Sequence, residues 1–255
     1  MPGGVGLREL VDHLDDFLEA ARGRDYGPNG LQVEGRERVR KVAVGVSACE
    51  DLFVRARVAG ADAVLVHHGL FWEGQPRTLT GFQYRRVAEL VRGEMSLIAY
   101  HLPLDRHMQV GNNAVAARAF ELTDVEPFGI HDALPIGCKG RFASPIAAAE
   151  LAARCRQVFG QEPVAYLTGP DPVGTLGLIS GGAQREFHQA IAGGLDAYVT
   201  GEVSEWVMNV AREARVHYLA AGHYATERLG VQALGEHLRQ RFPIAVEFID
   251  VPNAV

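Results

Sequence analysis

Three places in the chain combine residues able to bind a metal ion. His67 and His68 follow the apolar run Ala63-Val64-Leu65-Val66 and precede Gly69, while His101 stands four residues before Asp105 and His223 four residues before Glu227. Neutral imidazoles and carboxylates are donors for zinc, iron, manganese, cobalt or nickel, and this many exceed the four of one structural zinc. The pattern predicts two divalent ions held by His67, His68, Asp105, His223 and Glu227. In such a centre a carboxylate bridges the ions and bound water becomes a nucleophile near neutral pH. The expected arrangement has Glu227 as the bridge, His67 and His223 mainly on one ion, and His68 and Asp105 mainly on the other. His101 is a further ligand or a proton shuttle, so Glu227 and His101 are the candidate catalytic residues. Glu202 either orients water or a ligand or is a solvated glutamate.

Each residue taken singly has a plainer explanation. A lone histidine is more often a packed core residue, Asp105 alone reads as a turn residue, and Glu227 alone as a favourable charge in a first helical turn. Their recurrence at the ends of apolar strands is what points to chemistry. Side chains alternate across a strand, so His67 and His68 are expected to act together only just past a strand end, where Gly69 lets the backbone turn.

The elements that must position these residues are legible as periodicities. Leu7, Leu10, Val11, Leu14, Phe17 and Leu18 predict an opening amphipathic helix. A buried strand at 41–46, a helix at 50–59 and a second strand at 63–66 form a βαβ unit, followed by a helix at 84–92, a strand at 97–100 and a helix at 113–120. The stretch 123–145 is rich in Pro and Gly, shows no clear period and is the expected boundary between two α/β lobes, residues 1–127 and 128–255, with exchange of terminal elements between them allowed. Ser144-Pro145 reads as a helix start. Strands at 173–179, 197–199, 216–221 and 244–249 then alternate with helices at 184–192, 205–215 and 226–239. Gly60-Ala61-Asp62-Ala63 falls in step with Gly194-Leu195-Asp196-Ala197, which suggests a degenerate repeat, although two βαβ units also match by chance. If the repeat is real, the two interlocked lobes are related by pseudo-symmetry, and the metal site lies in the cleft between them, at carboxyl ends of strands.

Composition narrows the function classes. With 255 residues, 47% hydrophobic, the chain can bury a substantial core. A formal charge of -6 and a pI near 5.9 argue against nucleic acid as partner. No leader pattern or membrane-spanning apolar run is read, so a cytoplasmic location is expected. Three separated cysteines, Cys49, Cys138 and Cys155, suggest neither disulfides nor a thiolate zinc site. Ser180-Gly181-Gly182 lacks the spacing of a phosphate-binding loop and reads as a tight turn. His13, His107, His131, His188, His217 and His237 show no partner pattern.

Five ordered motifs carry a family resemblance: Asn29-Gly30-Leu31-Gln32-Val33; Ala61-Asp62-Ala63 through His67-His68-Gly69; His101-Leu102-Pro103-Leu104-Asp105 to Gly111-Asn112-Asn113; Asp196-Ala197-Tyr198-Val199-Thr200-Gly201-Glu202; and Ala221-Gly222-His223-Tyr224-Ala225-Thr226-Glu227. Together they resemble the GTP cyclohydrolase I type 2 homologues, also called Nif-three-like proteins, in their short bacterial form. The resemblance implies a toroidal homohexamer of two-lobed subunits, each with a dinuclear metal centre, and places the ligands on His67, His68, Asp105, His223 and Glu227. Ser47-Ala48-Cys49 departs from a more usual Asp-containing turn. The implied activity is metal-dependent hydrolysis, with GTP or a related nucleotide as substrate, opening the guanine imidazole ring with release of formate. The alternative is a ring-shaped binding or scaffold protein for nucleic acid or protein partners, its metals serving structure or sensing; a third reading is metal buffering or insertion.

Overall fold

The computed structural model describes residues 3–76 and 78–255. They form a mixed α/β protein that divides into two compact units, one made of Met1–Leu104 and Val231–Pro252, the other of Asp105–Gly230 and Asn253–Val255. Residues 105–127, which the sequence reading places in the first lobe, fall in the second unit.

The first unit opens with the short strand β1 (Val5–Gly6) and helix α1 (Leu7–Phe17), which buries Leu7, Leu10, Val11 and Leu14 at helical spacing. Strands β2 (Gly30–Val33), β3 (Arg38–Val39) and β4 (Lys41–Ser47) follow, then α2 (Glu50–Val58), β5 (Ala63–His68), α3 (Gly81–Gly93), β6 (Ser96–Ala99) and the single turn α4 (Leu102–Asp105), which carries the chain across. In the sheet, β4, β5 and β6 are parallel neighbours and β2 is an antiparallel edge. The parallel strands read as continuous apolar runs because helices cover them. Ala43, Leu52, Phe53, Val64, Leu90 and Leu97 fill this unit's core. Burying a side chain such as Phe53 contributes about 1.5–3 kcal/mol.

The second unit starts with α5 (Asn112–Ala119) and a long antiparallel pair, β7 (Leu122–His131) and β8 (Leu134–Ile146). The stretch expected to be an aperiodic boundary is therefore sheet. Its period is masked because β7 is an outer strand carrying exposed residues and Pro127, and because the register shifts between Thr123 and Glu126. Asp132 and Ala133, both at positive φ, form the two-residue turn. A second correction concerns Ser144: the strand runs through it to Ile146, and α6 (Ala148–Phe159) starts beyond, its Ala148 N–H meeting Asp171 Oδ1 at 3.3 Å.

Next come β9 (Val164–Tyr166), β10 (Val173–Leu178), a 3-10 turn (Gln184–Glu186) leading into α7 (Phe187–Ala192), β11 (Ala197–Thr200), α8 (Val207–Ala214), β12 (His217–Ala220) and α9 (His223–Arg241). Here β10, β11 and β12 are parallel, with β9 as the antiparallel edge. Leu151, Leu176, Val199 and Leu219 pack in this unit's own core. Strand β13 (Ala245–Phe248) returns to the first unit and pairs in parallel with β4.

One device recurs in both units. Asp62 Oδ2 accepts the Arg40 and Lys41 N–H groups at the start of β4, and Asp196 Oδ2 accepts those of Gly174 and Thr175 at the start of β10. Each aspartate, just before its own strand, caps the strand beside it. This is the physical content of the repeated Gly-x-Asp-Ala motif.

Candidate metal centre

In the first unit the ligand candidates gather at the carboxyl ends of β5 and β6. His67 and His68 are the last two residues of β5 rather than residues beyond it, with His68 opposite Ser47 on β4. Their ring centroids nevertheless lie 4.7 Å apart, because both side chains converge at the sheet edge. The neighbouring strands hold that edge: Ala48 N–H donates to His68 O at 2.8 Å, and Tyr100 N–H to Val66 O at 3.0 Å. His101, just past β6, completes the group. One nitrogen from each of the three imidazoles lies within 4.8 Å of the others.

Each ring has a partner on Nδ1. For buried His67 it is the Tyr100 carbonyl at 3.0 Å, for His68 the Ser47 hydroxyl at 3.0 Å, and for His101 the Asp25 carboxylate at 2.7 Å. A carbonyl or carboxylate on Nδ1 takes the N–H, which leaves the lone pair on Nε2, the nitrogen a metal would use. Burial pushes the Asp25 carboxyl up, but hydrogen bonds from His101, Asn29 and the Tyr26 N–H outweigh it and hold the carboxyl below its ordinary value. Asn29 binds both sides of this joint, donating to Asp25 Oδ2 and accepting the His101 N–H. Gln32 accepts the Leu70 N–H at 2.8 Å and so holds the chain after Gly69.

In the second unit Asp105, Glu202, His223 and Glu227 come together. His223 opens α9 and Glu227 follows one turn later, with His223 Nε2 3.2 Å from Glu227 Oε2. Glu202, past the end of β11, binds His223 Nδ1 at 2.6 Å. Burial lowers the pKa of the His223 imidazole, but Glu227 and Glu202 more than offset it and raise it to about 9. The buried carboxylates Asp105 and Glu227 each offer an oxygen within 4.8 Å of the other's. Asp105 Oδ1 receives the Asn112 amide at 2.8 Å and the Ser180 hydroxyl at 2.9 Å.

Ser180-Gly181-Gly182 is the turn behind this group. Gly181 sits at φ +67, and a Cβ there would collide with Glu227 Oε1, so the backbone approach to the carboxylate requires glycine. Its N–H donates to Thr226 Oγ1 and its carbonyl receives the Gly201 N–H and the Thr200 hydroxyl. Asn112 also accepts the Gly230 N–H at 2.7 Å, fixing α9 against α5.

Sequence reading missed Asp25, Asn29, Ser180 and Asn112 as partners of the candidate ligands. The only signal available was that Asn29 and Asn112 lie inside the motifs that carry the family resemblance. The donor chemistry fits a divalent transition metal: imidazole nitrogens with oriented Nδ1 groups, and buried carboxylate oxygens held by neutral donors. Cys138 and Cys155 take no part, since burial pushes both thiols up to about 12. Among the other histidines, His13 and His237 lie 2.9 Å apart through Nε2, and His217 is tied to the Pro170 carbonyl at 2.8 Å.

The chain is thus an α/β protein whose described residues form a five-stranded and a six-stranded sheet besides the short β1–β3 pair, with His, Asp and Glu groups that could hold a metal ion. It belongs to the Duf34/NIF3 (NGG1p interacting factor 3) family, whose model matches residues 5–254. A Pseudomonas aeruginosa relative named GTP cyclohydrolase 1 type 2 homolog is 46% identical over 98% of both chains. Among solved structures, protein ybgI superposes with a TM-score of 0.93 at 39% identity, covering 98% of this chain and all of that one. TTHA1606 from Thermus thermophilus follows at 0.90 and 38%, with the same coverage. Among the described residues no helix is long and apolar enough to cross a membrane.

Proposed function

We propose that the protein is a metal-dependent hydrolase in which His67, His68, Asp105, His223 and Glu227 together hold two divalent ions. The observation that carries this reading is the orientation of the imidazoles: His67, His101 and His223 each have Nδ1 held by a carbonyl or carboxylate, the arrangement found behind metal-ligating histidines. Divalent ions held there would supply Lewis acidity and acidify a coordinated water.

The protein's own groups serve that chemistry in distinct ways. Asn112 and Ser180 both donate to Asp105 Oδ1 and so fix the orientation of its carboxylate. Glu202 orients His223, and Asp25 orients His101, whose imidazole is placed to exchange a proton near the centre. The substrate suggested by the relatives' name is a purine nucleotide such as GTP, with the ring opened by hydrolysis. A homohexamer is proposed on the family resemblance and is read by sedimentation velocity.

Protein loaded separately with manganese, iron, cobalt or zinc is incubated with GTP and assayed for formate. The reading expects metal-dependent formate release that falls to background in Glu227→Ala while the circular dichroism spectrum is kept. Undiminished release in that variant would defeat it.

A further inference from the structure

Two buried tyrosines of the second unit repeat one device a strand apart. Tyr198 on β11 and Tyr218 on β12 are register partners, and both are fully buried. The Tyr198 hydroxyl donates to Ala183 O at 2.6 Å, in the loop that follows β10. The Tyr218 hydroxyl donates to Glu202 O at 2.6 Å, in the loop that follows β11. Each ring thus pins the loop of the neighbouring parallel strand.

A buried phenol needs an acceptor. Burial, with Glu202 close by, pushes the Tyr218 phenol above its ordinary range, so it remains a donor at neutral pH. Aromatic neighbours fix where that donor points. The Tyr198 ring lies 5.7 Å from the Tyr218 ring, Phe187 meets it edge-on at 4.9 Å, and Tyr166 lies 6.4 Å away.

Glu202 is a residue that needs such a hold. Its side chain is 34% exposed, yet its Oε1 meets His223 Nδ1 at 2.6 Å. A long side chain loses rotamer freedom when it stays on one partner, and loses less when its backbone is already set. Here the Gly201 carbonyl accepts the Gly222 N–H at 2.9 Å, and the Glu202 carbonyl accepts the Tyr218 hydroxyl. The peptide planes before and after the Glu202 Cα are both held, which aims the carboxylate.

We infer that Tyr218 is a positioning residue of the candidate metal centre: its hydroxyl fixes the backbone of Glu202 and, through Glu202, the imidazole of His223. The inference rests on the metal-centre reading for its consequence, while the hold on Glu202 is a property of the metal-free protein.

The test is a double-mutant cycle on metal affinity, read by competition with a chromophoric chelator. Tyr218→Phe keeps the packed ring and removes only the hydroxyl. It should weaken metal binding by at least about threefold, the size of one lost hydrogen bond, and by less than about 1.5-fold where Glu202 is already alanine. Tyr198→Phe, which releases Ala183 instead, should have the same effect with Glu202 present or replaced. Affinity unmoved by Tyr218→Phe would overturn the inference. So would an equal loss in both backgrounds, which would make Tyr218 a packing residue of the whole unit, or the same dependence on Glu202 in Tyr198→Phe. A parent that binds no metal sinks the metal-centre reading, and crystal structures of the metal-free parent and Tyr218→Phe then decide the positioning. Glu202 Oε1 should leave His223 Nδ1 in the variant; an unchanged contact would overturn the inference.

Discussion

Glu202 Oε1 lies 2.6 Å from His223 Nδ1, while Glu227 Oε2 lies 3.2 Å from Nε2 of the same ring. One imidazole is thus held between two carboxylates with different tasks. Glu202 accepts the hydrogen bond from Nδ1–H and so orients the ring, and Glu227 sits on the side where a metal would bind. Removing an outer partner of a metal-ligating histidine costs about 10–100-fold in metal affinity. Glu202→Ala should show a loss of that size in competition with a chromophoric chelator, and Glu202→Gln, which keeps an acceptor, a smaller one. Equal affinities in all three proteins would show that Glu202 does not position His223.

Asn112 links Asp105 on one side to the Gly230 N–H on the other, at 2.8 and 2.7 Å, and is fully buried. In Asn112→Ala the Gly230 N–H loses its Asn112 acceptor, while Asp105 Oδ1 loses one of two donors and keeps the Ser180 hydroxyl. Each buried group left unsatisfied costs about 1–3 kcal/mol. The expected result in urea denaturation of the metal-free protein is a loss of about 1–3 kcal/mol, with Ser180→Ala losing less because only one bond goes. A loss under about 0.5 kcal/mol for Asn112→Ala would contradict this role.

Glu89, nearly buried on α3, accepts from Arg57 at 2.9 Å and from Arg92 at 2.5 Å. These two guanidinium groups hold its carboxyl below the ordinary carboxylate range. Because the folded-state pKa is the lower one, the pair stabilises fully above the unfolded carboxylate pKa of about 4.3, and the contribution is lost as pH falls through the folded value. Glu89→Gln should lower the melting temperature at pH 7 and lose less than the parent between pH 5 and pH 3, relative to each protein's neutral value. Parallel acid profiles for the two proteins would refute the linkage.

What could be read from sequence divides by distance along the chain. The parallel strands are continuous apolar runs and the helices have clean periods, so the α/β class and most elements were visible. His223 and Glu227 share a helical turn and His67 and His68 are adjacent, so each group announces itself locally. Their orienting partners do not: Asp25 meets His101 across 76 residues, and Ser180 meets Asp105 across 75. Only the sheet order brings them together, and an isolated Asp or Ser carries no periodic signature. The β7–β8 pair was missed for another reason. An outer strand with exposed residues, proline and a register shift has lost the alternation that marks a half-buried strand. The repeated aspartates Asp62 and Asp196 show the opposite case, where a short motif reports a hydrogen-bonding device that each unit uses in the same way.

All of the chemistry proposed for the centre depends on the five candidate ligands binding two ions. Protein purified without chelator from cells grown in mixed metals is assayed for metal per subunit by mass spectrometry, beside Glu227→Ala prepared identically. Close to two ions in the parent and a clear loss in the variant are expected. No more than one ion per subunit, unchanged by the substitution, would contradict both the ligand set and the chemistry built on it.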